Sequence, residues 1–131
     1  MSNLEQMSEA LMQSWGTKTL EALRRQARAG ATGVVFDAIR GAGGMRLVLA
    51  ICVTKRAPIA VLRKAFPLVI HGAPEDWTKL TLLEITMRAA AGPGVVLKSL
   101  KNSAGELSDV ILVSTEPRSI GIMERIFRLP K

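Results

Sequence analysis

Apolar positions along this chain recur with two different periods. Near the start Leu4, Met7, Leu11 and Trp15 fall at helical spacing, and after Gly16 the stripe resumes at Leu20, Leu23 and Ala27 until Gly30 closes it. Ser2-Asn3-Leu4-Glu5 fits the pattern in which a hydroxyl caps an amide three residues on while a carboxylate reaches back, so residues 3 to 28 are expected to form one kinked helix or two short ones. The period then shortens. VVFDAIR and MRLVLAICVTK are rich in Val and Ile and of strand length. In the second, Met45, Leu47, Leu49, Ile51 and Val53 alternate with Val48, Ala50 and Cys52, so both faces are apolar and an interior strand is predicted. Between the two strands, Gly41, Gly43 and Gly44 suit a hairpin, because glycine takes positive φ angles without steric cost.

Pro58 fits the first position of a short helix with Ile59, Leu62 and Phe66 on one face, and Pro67 stops it. LVIHGAPEDW reads as a connection, with Glu75, Asp76 and Trp77 as a single helical turn. From Leu80 to Ala90, Leu83, Ile85 and Met87 alternate as in a strand, while Trp77, Leu80, Leu83 and Met87 also suit a helix; the strand is taken as the expectation. VVLKSL and DVILVST follow as strands around a turn at Asn102 to Gly105. A terminal helix from Glu116 turns Ile120, Met123, Ile126 and Phe127 inward and Arg118, Arg125 and Arg128 outward.

No internal repeat, low-complexity tract or Pro/Ser-rich linker is read. The expected fold is α+β in one domain spanning residues 1–131: a mainly antiparallel sheet of about five strands with an N-terminal helix, a short middle helix and a C-terminal helix. The order of elements is similar to that of roadblock-type dimerisation modules, but no motif accompanies the order and no family is read from it. Sheet edges and one thinly covered apolar face make a homodimer the expected state.

Composition narrows the class. Hydrophobic residues make up 48% and charged residues 22%, the balance of a packed chain. The longest uninterrupted apolar run, Leu47 to Val53, is far short of the roughly 20 residues that span a bilayer as a helix, so no transmembrane segment is expected. MSNLEQMSEA lacks the basic start of a secretory leader, and a solitary Cys52 agrees with a reducing compartment; a cytoplasmic location is the expectation.

Charge changes the picture more. The formal net charge is +7, and residues 18–64 hold ten Lys or Arg against only Glu21 and Asp37. Clustered bases raise the local potential and release condensed counterions when phosphates replace them. Catalytic chemistry finds little material. His71 is the only histidine and Cys52 the only cysteine, so neither a multi-imidazole metal site nor a Cys/His zinc site can close within one chain. His71 lies near Glu75 and Asp76 but beside no serine in a nucleophile-elbow context, and Cys52 reads as a small buried hydrophobe. The GAGG stretch lacks both the dinucleotide fingerprint and a P-loop ending, so it is read as a turn, and Asp37 is expected to pair with Arg40 or Arg46. No enzyme activity, cofactor or metal is expected.

Binding is therefore the expected function. The leading partner is an RNA or DNA backbone, contacted without sequence reading by a packaging, assembly or accessory factor of a nucleoprotein complex. The candidate residues are Arg24, Arg25 and Arg28; Arg40 and Arg46; and Lys55, Arg56, Arg63 and Lys64, expected to converge on one exposed wall. With no tyrosine and few aromatics, a base-stacking platform is missing. The alternative is a protein-interaction or matrix-like scaffold module whose basic face meets an acidic protein surface or an anionic membrane.

Overall fold

Thr19 starts the first helix, α1 (Leu20–Ala29), by accepting a hydrogen bond from the Ala22 amide. The computed structural model describes residues 17–66, 77–92 and 94–129, so the expectations for residues 3–16, Pro67, His71, Glu75 and Asp76 lie outside the described residues. Strands β1 (Val34–Arg40) and β2 (Arg46–Val53) form an antiparallel hairpin around a 3-10 turn at Ala42–Gly44, where Gly43 and Gly44 take φ of 84° and 80°. Helix α2 (Arg56–Ala65) follows, beginning two residues before Pro58, with Ile59, Leu62 and Phe66 buried as their spacing requires. A turn at Trp77–Lys79 leads to α3 (Leu82–Ala91), then β3 (Val95–Lys101), β4 (Leu107–Ser114) and α4 (Pro117–Phe127).

Among the described residues the sheet has four antiparallel strands in the order β1-β2-β4-β3, not five, because residues 82–91 are helix where a strand was expected. The reason is local. The Thr81 hydroxyl accepts from the Glu84 amide while the Glu84 carboxylate accepts from the Thr81 amide, a capping box that nucleates the helix. Its buried stripe is Leu82, Ile85, Thr86 and Ala89, which uses a threonine and an alanine that a count of large apolar residues passes over.

Helices cover both faces of the sheet. On one face α1 and α3 pack with Trp77 over Val48, Ala50, Cys52, Ile111 and Val113. On the other, α2 and α4 pack over Leu49, Ile51, Val53, Val110 and Leu112. Leu49, Ile51, Ile111 and Leu112 are fully buried, each worth about 1.5–3 kcal/mol by burial. The apolar face that was expected to need a second subunit is thus covered by the chain's own helices.

The chain is also built twice, contrary to the reading of no repeat. α1-β1-β2-α2 recurs as α3-β3-β4-α4, shifted by 61 positions in the strands (Val34 to Val95, Arg46 to Leu107) and by 62 in the first helix (Leu20 to Leu82). Gly33 and Gly94 both take positive φ, and their carbonyls accept from Thr54 and Thr115 amides at 2.8 Å in each case. Gly44 and Gly105 share φ near 80° (80° and 81°), and both hairpins carry a register shift at the same place, after Ile39 and after Leu100. Where the halves meet, Thr19 and Thr81 form an antiparallel bridge flanked by Leu20 N to Leu80 O at 2.9 Å and Leu82 N to Lys18 O at 2.8 Å. In the β2–β4 ladder, Ile51 opposes its own counterpart Leu112, which places an approximate two-fold axis between them, normal to the sheet. Each half sends its second helix across the join, α2 onto β4 and α4 onto β2.

Candidate anion-binding face

The nine basic candidates do not gather on one wall. Arg24, Arg25 and Arg28 lie on α1, over the first face. Glu21 takes Arg24 at 3.0 Å and Arg25 at 3.5 Å. Arg28 grips the fully buried Asp109 of β4 through Nε at 3.0 Å and Nη2 at 2.7 Å, with Arg24 Nε at 3.6 Å and the Ser108 hydroxyl donating at 2.8 Å. Burial alone would raise the Asp109 carboxyl, but hydrogen bonds from Arg28 and Ser108 and the charges of Arg28 and Arg24 outweigh it and hold the group below the ordinary aspartate value. The bond to Asp109 in turn raises Arg28. This triad fastens α1 to the sheet; its charge is spent inside the fold.

Lys55 and Arg56 stand at one end of the sheet. The Lys55 ammonium donates to the Ala31 carbonyl, and Arg56 meets Glu106 of the opposite hairpin at 2.6 Å, both bases being exposed. Arg63 and Lys64, farther along α2, are exposed and meet no carboxylate among the described residues. Arg40 and Arg46 stand at the other end. Arg40 donates to the Gly44 carbonyl at 2.8 Å, which ties the GAGG turn back onto β1.

Arg46 owes its position to a bulge. Ile39 pairs with Val48 but Arg40 pairs with Arg46, so Leu47 is an extra residue and the alternation predicted for this strand breaks there. Leu47 and Val48 both pack on the α1/α3 face, while Arg46 swings to the α4 face. Its side chain is only 4% exposed, meets Glu124 of α4 at 2.5 Å and lies 5.6 Å from the Phe36 ring centroid. Asp37, expected to pair with Arg40 or Arg46, takes Lys18 at 2.5 Å. Met45, assigned to the apolar stripe, is 64% exposed at the turn.

Two adjoining clefts flank the Arg46–Glu124 pair, of about 390 Å³ toward the GAGG turn and about 570 Å³ along α4. Pro117, Arg46 and Glu124 border both; Arg40 lines the first, Arg118, Gly121 and Arg125 the second. Arg118, Gly121 and Arg125 fall three and four residues apart, on one side of α4. Gly121 leaves a notch there: a Cβ added to it would meet nothing within 4 Å. Mid-helix glycine costs about 0.5–1 kcal/mol relative to alanine, and nothing in the fold requires it here.

Arg118 and Arg125 were read in the sequence as outward-facing, but not as site residues. What was missed is that α4 shares a face with α2. Together these helices present Arg56, Arg63, Lys64, Arg118 and Arg125, all exposed, with Arg128 just past the end of α4. The one acid within the two helices, Glu124, is committed to Arg46.

Nucleophiles and metal ligands are sparse. Cys52 is fully buried, and burial, aided by the nearby Asp109 charge, pushes its thiol up to about 12. Among the described residues no three His, Cys, Asp or Glu side chains stand close enough to hold a metal ion, and no helix is long and apolar enough to cross a membrane. No protein-family model matches the chain, and no curated protein or solved structure matches it either.

Proposed function

We propose that this chain is a non-enzymatic, nucleic-acid-associated protein that holds an RNA or DNA backbone along the face made by α2 and α4. One observation carries the reading: two helices on the same side of the sheet bear five exposed bases, of which only Arg56 meets a carboxylate among the described residues, Glu106, and the single carboxylate within the helices is engaged by a buried arginine. Guanidinium and ammonium groups spaced along two helices suit a repeating phosphate chain, and none of the described aromatic residues is exposed for base stacking, so the contact is insensitive to sequence. The site differs in membership from the wall expected from the sequence. Arg63, Lys64 and Arg56 stay in it, Arg118 and Arg125 join it, and the α1 arginines leave it for Glu21 and Asp109.

The test is an anisotropy titration with random RNA and DNA at several salt concentrations. Arg63→Glu with Lys64→Glu is expected to weaken binding at least tenfold and flatten the salt slope by about 1.5, as two phosphate contacts are lost. Arg25→Ala, on the opposite face, is expected to leave affinity within twofold. Equal losses in the two variants would refute the assignment. A second reading has one observation in its favour: Ala57, Ala60 and Val61 are exposed between the α2 bases, as suits an anionic membrane surface. Flotation with phosphatidylserine vesicles, with no affinity for nucleic acid, would decide for it.

A further inference from the structure

The repeated half acts as an internal control, because a residue the fold itself demands should recur at the equivalent position. Three residues of the α4 cleft do not. Arg46 corresponds to Leu107, Arg118 to Ala57 and Gly121 to Ala60, under the shift that superposes the strands and second helices. The half containing α2 therefore builds the same helix with an alanine where α4 keeps a glycine, and starts the equivalent strand with a leucine where β2 buries an arginine. These departures meet in one cleft of about 570 Å³. Its glycine gives up helical propensity without a packing gain, and its buried guanidinium stands where the other half, which shares the bulge, has a leucine, the mark of residues kept for a ligand.

We infer that the notch at Gly121 seats a phosphate monoester, held between Arg118 and Arg125 with Arg46 at its base. The charge count supports a monoester over a diester. Arg46, Arg118 and Arg125 against Glu124 leave two positive charges, matching the roughly −1.5 to −2 of a monoester and exceeding the single charge of a diester. Planar guanidinium forks suit its terminal oxygens, and Gly121 lets the ligand approach the helix backbone. Glu124 fixes the Arg46 guanidinium from the side, so this arginine is held in place before the ligand arrives. This deepens the proposal above and rests on the same basic face, but the two fail separately.

The experiment uses the full chain and phenyl phosphate, with methyl phenyl phosphate as the diester control, in a calorimetric titration. One monoester is expected to bind per chain, at least tenfold more tightly than the diester. Gly121→Leu is expected to lower monoester affinity at least tenfold while the melting temperature holds or rises, which separates a filled notch from a damaged fold. Arg63→Glu with Lys64→Glu is expected to leave monoester affinity within twofold. Equal affinity for the two esters, or unchanged affinity in Gly121→Leu, would overturn the inference. Random oligonucleotides then distinguish the sources. Tighter binding of 5′-phosphorylated than of 5′-hydroxyl strands places a strand end in the notch, and equal binding with phenyl phosphate retained assigns it to a small phosphorylated molecule. Retained monoester binding with no oligonucleotide binding at all removes the backbone proposal and leaves this one standing.

Discussion

Replacing Asp109 by Asn tests the argument that the α1 arginines serve the fold rather than a ligand. The carboxylate is fully buried and takes both Arg28 nitrogens, at 3.0 and 2.7 Å, and the Ser108 hydroxyl at 2.8 Å, with Arg24 Nε at 3.6 Å. Removing one partner of a wholly buried pair costs about 3–5 kcal/mol. Arg28 is half exposed and regains water when released, and asparagine keeps one acceptor in place, so the expected loss is roughly 2–3 kcal/mol. For a chain of this length that is a fall in melting temperature of about 6–15 °C. The pH dependence is the sharper part. Asp109 is held below its ordinary value when folded, so the unfolded chain binds more protons between the two values. Its stabilisation is complete above the ordinary aspartate range and is lost as pH falls through the folded value. Calorimetric scans of both proteins should show the full gap at pH 7 and a narrowing gap toward pH 3, where the aspartate of the unfolded chain takes up a proton that the folded carboxylate resists. A gap of the same size at both pH values, or one under 3 °C at pH 7, would refute the reasoning.

Gly121→Ala is expected to stabilise the protein by about 0.5–1 kcal/mol, because an added methyl meets open space and helical propensity improves; an unchanged or lowered melting temperature would show a packing role that the structure does not contain. Cys52 should resist iodoacetamide at pH 8 in the native state, where a thiol of pKa about 12 is ionised in about one molecule in ten thousand, and react promptly in denaturant. Fast native labelling would refute its burial.

Much of the frame was legible in the residues. β1, β2, the glycine turn, α2 and α4 stand where alternation, glycine and helical spacing placed them, because in these segments most of the large apolar residues are buried in or packed against the core. In α3 they are not: Met87 is exposed while Thr86 and Ala89 are buried, so the apparent strand alternation was a property of residue size. The capping signal was present in Thr81-Leu82-Leu83-Glu84 and was outweighed by it. The repeat escaped for a related reason. Its identities come in runs of three at most, Gly33-Val34-Val35 with Gly94-Val95-Val96 and Thr19-Leu20 with Thr81-Leu82, then singly as Thr54 with Thr115 and Phe66 with Phe127, and they mark turns and packing rather than any chemical motif. The site was only partly legible because ion pairing is not local. Arg28 finds Asp109 81 positions away and Arg46 finds Glu124 78 away, so a count of bases along the chain could not separate spent charge from exposed charge.

The axis between Ile51 and Leu112 has a consequence for how such a molecule can change. Two identical subunits meeting at that seam would come apart on dilution, and every substitution would appear in both at once. Joined in one polypeptide, the seam holds at any concentration, and each copy of a groove is free to vary alone. One can keep leucine and alanine for cohesion while the other exchanges them for arginine and glycine.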